Sequence, residues 1–267
     1  MAMAAWEHPE LIKHLSEKDM EALAITKSGQ TFTFTKGNEK PEVAFCIIHQ
    51  EIVAMEWAFM FRFLQLPNHF YIAERNAPYD AARNRLVKKA IEVGAKYVFF
   101  MDSDVKPCRP DAVMRLLEIA KNEHVDVLTG VYYAKHQEGE ASAYLLGEIK
   151  NRMPLFAPVV FTDEMVQKKQ LVPIEAAGTG CMLINTDVFK RWDQKWPNRS
   201  YFKWGAGLSD YELEMLDIYN TSEDFNFCIR LKEIGVQMYA APFIQFDHIA
   251  WVKKKGDKKG EFGFLEY

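Results

Sequence analysis

Four cysteines in 267 residues are too few and too scattered to organise a fold. Cys46, Cys108, Cys181 and Cys228 form no C-x-x-C pair, and no histidine stands at zinc-ligand spacing from them. Neither a disulfide framework nor a zinc site is expected. Cys46, Cys181 and Cys228 sit in apolar runs and read as small core side chains, whereas Cys108, between Pro107 and Arg109, has no such context. No stretch approaches about 18 uninterrupted apolar residues, so no membrane span is expected. Positive charge is not in surplus either: 33 Lys and Arg against 37 Asp and Glu leave −4, which argues against nucleic acid as a partner. Met1 to Glu10 lack a basic start followed by an apolar block, so no signal peptide is expected and a cytoplasmic location is the simplest. Internal repeats and low-complexity linkers are missing as well.

What is present is an ordinary globular composition, 49% hydrophobic and 26% charged, enough for a sizeable core without staples. The polar first forty residues read as a peripheral arm (1–40) with one strand, Thr31 to Thr35. The fold proper begins at the apolar run Val43 to Ile48. A helix from Ile52 to Leu66 follows, stopped by Pro67-Asn68, and then a short strand, His69 to Ala73. Asp80 to Val93 carries Ala82, Leu86, Ala90 and Val93 on one helical face, with Gly94 as its stop. Tyr97 to Met101 is the clearest buried strand, and it runs directly into Asp102-Ser103-Asp104. A helix from Asp111 to Asn122 and a strand from Val125 to Leu128 continue the alternation.

Such alternation with short links predicts an α/β domain, here spanning 41–250, with a mostly parallel central sheet flanked by helices. Ligands of such sheets bind outside the carboxyl ends of the strands, where Asp102 and Asp104 are placed. The second half is less regular. Strands are expected at Ala143 to Leu146, Cys181 to Asn185 and Val236 to Tyr239, a helix at Glu223 to Ile234 closed by Gly235, and a loop-rich aromatic stretch from Trp192 to Tyr219. Residues 251–267, with Lys253 to Lys255 and Lys258-Lys259, read as a basic solvated tail.

Two carboxylates at the end of a buried strand form a concentrated negative site. A hard cation such as Mg²⁺ or Mn²⁺ would relieve their repulsion and could bridge a diphosphate leaving group. On spacing alone, a turn in which the aspartates cap backbone N–H groups is the commoner reading of D-x-D. Glu223-Asp224 opens a helix, and Thr221-x-x-Asp224 fits a capping box, so these acids have a structural reason to be there too.

Four segments occur in one order: Ala82-Arg83-Asn84-Arg85-Leu86, Asp102-Ser103-Asp104 after its strand, Gly178-Thr179-Gly180-Cys181-Met182-Leu183-Ile184, and Ser222-Glu223-Asp224-Phe225-Asn226-Phe227-Cys228. Together, over about Val43 to His248, they resemble the GT-A glycosyltransferases, particularly the family-2-like and Anp1-like groups.

The resemblance implies a donor site in which His49, Gln50 and Glu51 after the first strand, and Ala73-Glu74 at the end of the second, hold base and ribose. Arg83 would lie near the nucleotide and the acidic motif; otherwise it is an exposed arginine near a helix start. Asp102 would face ribose or metal, Asp104 would be the firmest metal ligand, and the late His248 would complete the site. An imidazole suits Mn²⁺ better than Mg²⁺. Asp224 would be the general base that takes the acceptor proton, with Glu223 as a hydrogen-bonding group beside it. Gly178, Thr179 and Gly180 would let the backbone approach the donor sugar, unless they form a plain turn. Trp192, Trp196, Tyr201 and Trp204 offer sugar-stacking faces, Trp204 foremost because Gly205 and Gly207 suit a closing loop; the alternative is core packing.

The expected activity is therefore metal-dependent transfer from a UDP- or GDP-sugar to a hydroxyl on a glycan, protein or small molecule. A nucleotidyltransferase acting on sugar phosphates is the nearest alternative, although Ile48-His49-Gln50-Glu51 lacks the glycine and lysine that such enzymes carry after the first strand. A non-catalytic nucleotide- or carbohydrate-binding module is the other.

Overall fold

A computed structural model describes residues 31–35, 40–49, 55–133, 140–249, 251–253 and 262–264. Strand β1 (Thr31–Thr35) precedes β2 (Val43–His49), whose every residue is buried, as befits a strand covered on both faces. Helix α1 (Met55–Phe61) ends before the expected Leu66, because the chain turns at Arg62-Phe63 well before Pro67; Ile52 to Ala54 lie outside the described residues. Strand β3 (His69–Arg75), helix α2 (Tyr79–Glu92) and strand β4 (Tyr97–Asp102) follow. Gly94, with φ of 75°, closes α2 in the left-handed conformation that favours glycine. Next come β5 (Val105–Pro107), α3 (Ala112–Asn122) and β6 (Val127–Val131).

In the second half, β7 (Ala143–Lys150) and β8 (Met153–Pro158) form a hairpin that β10 (Ala176–Ala177) joins as a small separate sheet. Helix α4 (Asp163–Gln167) and β9 (Val172–Ile174) lie between them in the chain. Then follow β11 (Cys181–Asn185), α5 (Thr186–Lys195), α6 (Asp210–Met215) and α7 (Glu223–Leu231). A 3₁₀ turn, Lys232–Ile234, ends at Gly235, whose φ is 69°. The expected four-residue strand after it is instead an eleven-residue strand, β12 (Met238–His248), so Asp247 and His248 are strand residues. The stretch from Trp192 to Tyr219, expected as loop, contains the end of α5 and all of α6. Strands β13 (Trp251–Lys253) and β14 (Phe262–Phe264) pair with each other; the other lysines of the tail lie outside the described residues.

The main sheet has the order β1-β3-β2-β4-β11-β6-β12-β5, with β9 also beside β12. Strands β2, β3, β4, β6 and β12 run in one direction, and β1, β5, β9 and β11 run against them. The α/β domain with a helix-flanked, mostly parallel sheet is thus the observed fold class. Strand alternation divides the core into two layers. Ala44, Cys46, Val98 and Phe100 face α2, α5 and α7 on one side; Val43, Phe45, Phe99 and Met101 face α1 and α3 on the other. Cys46, Cys181 and Cys228 are buried as expected, and Cys108 is exposed, its Sγ 3.2 Å from Asp247.

Candidate functional site

The register of the parallel strands places the acidic rim. Ile48 pairs with Glu74 on one side and with Asp102 on the other, so both carboxylates stand at one level across three strands. Strand β11 enters antiparallel, and Asp102 N–H donates to the Gly180 carbonyl at 3.2 Å, which brings the glycine turn to the same rim. His248, at the end of β12, pairs with Val105, just beyond Asp104. The carboxyl ends of β2, β3, β4 and β12 thereby share one edge.

Asp104 and His248 meet there, with His248 Nε2 3.7 Å from Asp104 Oδ2, and the Asp104 carbonyl accepts from Ile249 N–H at 2.7 Å. His248 Nδ1 lies 3.1 Å from the Tyr133 carbonyl. A carbonyl can only accept, so Nδ1 carries the proton, and in the neutral ring the Nε2 lone pair faces Asp104. Asp102 is drawn elsewhere: its Oδ1 accepts from Arg83 Nη2 at 3.3 Å. Among the described residues, no group of three or more His, Cys, Asp or Glu side chains is gathered closely enough to hold a metal ion. Two of the three expected ligands come together, and the third is engaged by an arginine. The Asp104–His248 pair is a carboxylate and an imidazole, a donor set whose chemistry fits Mn²⁺.

Arg83 is not the exposed arginine of the alternative reading. It is 3% exposed, and its Nη1 donates to Glu223 Oε1 while Nη2 reaches Asp102. The acidic motif after β4 and the one opening α7, 121 positions apart from Asp102 to Glu223, are therefore joined by one guanidinium. Burial, then the neighbouring Asp224 charge, pushes the Glu223 carboxyl up to about 7 against the pull of Arg83. Burial also raises Asp102, opposed by Arg83; since 28% of its side chain remains in solvent, that rise is tempered. Arg83 Nε, Glu223 Oε2 and Thr179 Oγ1 are buried without a hydrogen-bond partner among the described residues.

Asp224 is half-buried, its Oδ1 accepting from Ser222 Oγ and, at 2.9 Å, from Phe225 N–H. Its charge is felt at Asp102, Arg83 and Tyr132. The Thr221-x-x-Asp224 capping box does not form: Ser222 is the N-cap and makes no side-chain cap bond, because its hydroxyl is turned onto Asp224. The chain entering α7 is instead fixed by Asn226, whose amide takes Tyr219 N–H at 2.8 Å and donates to the Tyr219 carbonyl at 3.0 Å.

Tyr132 carries no sequence signal, yet it stands in the middle of the site. A Cβ on Gly178 would lie 2.2 Å from the Tyr132 hydroxyl, and one on Gly180 would lie 3.0 Å from it. The hydroxyl bonds Ser142, and the ring meets His248 edge to face at 5.3 Å. The glycines thus have a reason inside the protein, namely room for a buried tyrosine.

Glu74 is buried and held by Arg85 at 2.7 Å, and the His49 carbonyl accepts from Asn76 N–H at 3.1 Å. Gln50 lies outside the described residues. Trp192 and Tyr201 are core, packed with Phe189 and Phe227, which corrects their stacking role. Trp204 is 45% exposed, with its indole N–H on the Ala206 carbonyl at 3.1 Å. Gly205 beside it is fixed by packing, since a Cβ there would lie 2.0 Å from the Tyr219 carbonyl. Tyr79, which sequence reasoning did not single out, is exposed beside Arg83, 5.5 Å from ring centroid to guanidinium.

No protein-family model matches the chain, and no curated protein matches it. Among solved structures, the chain is similar to A197 from STIV, with a TM-score of 0.50 at 18% identity over 78% of this chain and 85% of that one. GalNAc-T7, crystallised with UDP, GalNAc and Mn²⁺, aligns with a TM-score of 0.47 at 12% identity, over 81% of this chain and 45% of that one. This chain therefore spans less than half of GalNAc-T7. No described helix is long and apolar enough to cross a membrane. The likeness to A197 is one of fold, shared over most of both chains.

Proposed function

We propose that the chain is a GT-A-type glycosyltransferase that moves a sugar from a UDP- or GDP-sugar to a hydroxyl acceptor with the help of Mn²⁺ or Mg²⁺. The observation that carries this reading is that Asp104 meets His248 at the rim of the sheet while Arg83, beside them, joins Asp102 to Glu223 at the start of α7. Asp104 and His248 would hold the cation, with Asp102 next to them on the nucleotide side. When bound, such a cation neutralises charge that grows on the departing diphosphate. The half-buried Asp224 would take the acceptor proton as the new glycosidic bond forms and the bond to the diphosphate breaks. Glu223, tied to Arg83, orients this end of α7. His49 and Glu74 at neighbouring strand ends, Gln50, and the Gly178-Thr179-Gly180 turn would line the donor, and Trp204 would stack on a sugar from its loop. Residues 41–250 would form the catalytic domain, with 1–40 and 251–267 as its appendages.

Calorimetric titration with UDP and with GDP, each in the presence of Mn²⁺, tests this directly. Tight, metal-dependent binding of one nucleotide is expected. Indifference to both would end the reading.

A further inference from the structure

Arg83 was expected to contact the nucleotide, but its surroundings give it different work. It belongs to α2, which packs on the same sheet face as α7, and it is buried against both acidic motifs at once. Four carboxylates, Asp102, Asp104, Glu223 and Asp224, lie on this rim, and the charges of Asp102, Glu223 and Asp224 act on Arg83 most strongly. A buried carboxylate without a counter-ion is costly, and here one guanidinium serves both the buried Glu223 and the partly buried Asp102. Its planar fork allows this, because each terminal nitrogen can serve a different partner; a lysine ammonium on a flexible stem could not fix both. The Tyr79 ring lies against the guanidinium, with the ring centroid 5.5 Å away, while the fork itself is taken up by Glu223 and Asp102.

We propose that Arg83 is a positioning residue that sets the donor-side Asp102 and the acceptor-side Glu223 relative to each other from beneath the site, without touching the nucleotide. The inference rests on the transferase reading for its consequence, but the bridge itself can be read without any ligand.

Two measurements test it. Thermal denaturation of the full chain without ligand compares Arg83→Gln, Glu223→Gln and the double variant. Each single change leaves the other group buried without its partner, so the double variant should lose clearly less than the sum of the single losses. Additive losses would overturn the bridge whatever the protein binds. If Arg83→Gln does not fold, Arg83→Lys takes its place in the cycle, because it retains the charge.

Turnover of a UDP- or GDP-sugar with Mn²⁺ reads the positioning. In Arg83→Lys, kcat should fall about a hundredfold, the cost of an ångström-scale misplacement, while the donor KM stays within about threefold. A tenfold or larger rise in KM at unchanged kcat would make Arg83 a nucleotide ligand and overturn the proposal. Unchanged kinetics would overturn it too. A chain that shows the non-additive cycle but binds neither UDP nor GDP would refute the transferase reading, and the positioning role with it, while the bridge stood.

Discussion

Replacing Gly178 by alanine separates two explanations of the glycine turn: close approach of a donor sugar, or packing against Tyr132. The added Cβ would sit 2.2 Å from the Tyr132 hydroxyl and 2.8 Å from Ser142 Oγ, whereas Tyr132 Cζ is an acceptable 3.4 Å away. Tyr132 is only 7% exposed, so its ring cannot swing into solvent to make room. Overpacking of this kind costs about 1–3 kcal/mol, and displacing the hydroxyl from Ser142 adds about 1 kcal/mol. The smaller backbone entropy of alanine in the unfolded chain offsets less than about 1 kcal/mol of that. A net loss of about 1–3 kcal/mol lowers Tm by about 2–6 °C in a chain of this size.

The decisive variant is Gly178→Ala with Tyr132→Phe. It removes the atom at 2.2 Å and leaves Ser142 Oγ, which accepts from the N–H of residue 178 at 3.2 Å, as the one tight neighbour. Differential scanning calorimetry should show the double variant melting above Gly178→Ala alone. Should Gly178→Ala melt within about 1 °C of the unsubstituted protein, or Tyr132→Phe bring no relief, the packing account is wrong.

Asp104→Ala should leave Tm nearly unchanged, since the side chain is one-third exposed, and should weaken Mn²⁺-dependent UDP or GDP binding by more than about a hundredfold in calorimetry. Asp224→Asn should lower kcat by about 10²- to 10⁴-fold with donor affinity retained, as measured by transfer and by nucleotide titration; full turnover would remove Asp224 from the mechanism. The Glu223 carboxyl, pushed by burial from 4.5 up to about 7, gives a pH signature. In the folded chain it keeps its proton above the unfolded value, so its contribution is full below about pH 4.5 and is lost as pH rises through about 7. Thermal stability should fall across that window, and Glu223→Gln should flatten the slope; an unaltered slope in that variant would contradict the assignment.

The strongest local signals survived folding. Apolar runs became β2, β4 and β11, and Gly94 and Gly235 stopped their helices, because burial on both faces and left-handed backbone leave little choice of residue. Three helices went unread although their caps were visible, α4 among them, where Thr162 accepts from Met165 N–H. Asn185 accepts from Asp187 N–H at the start of α5, and Ser209 with Glu212 forms a complete capping box at α6. Aromatic richness in that stretch read as loop, yet Trp192 and Tyr201 are core. Strand β8 carries two prolines, Pro154 and Pro158, which an edge strand tolerates and a periodicity reading does not recognise.

The sequence by itself determined the α/β alternation, the rim position of Asp102 and Asp104, and the acids that open α7, since each follows from short-range pattern and strand direction. Only the tertiary structure decided how these groups face one another. Whether an arginine is solvated or bridges two carboxylates, and whether a glycine serves a ligand or a buried tyrosine, depends on contacts between segments as far apart as Arg83 and Glu223, or Tyr132 and Gly178. Burial and charge pairing are properties of such long-range neighbours, and no local spacing encodes them.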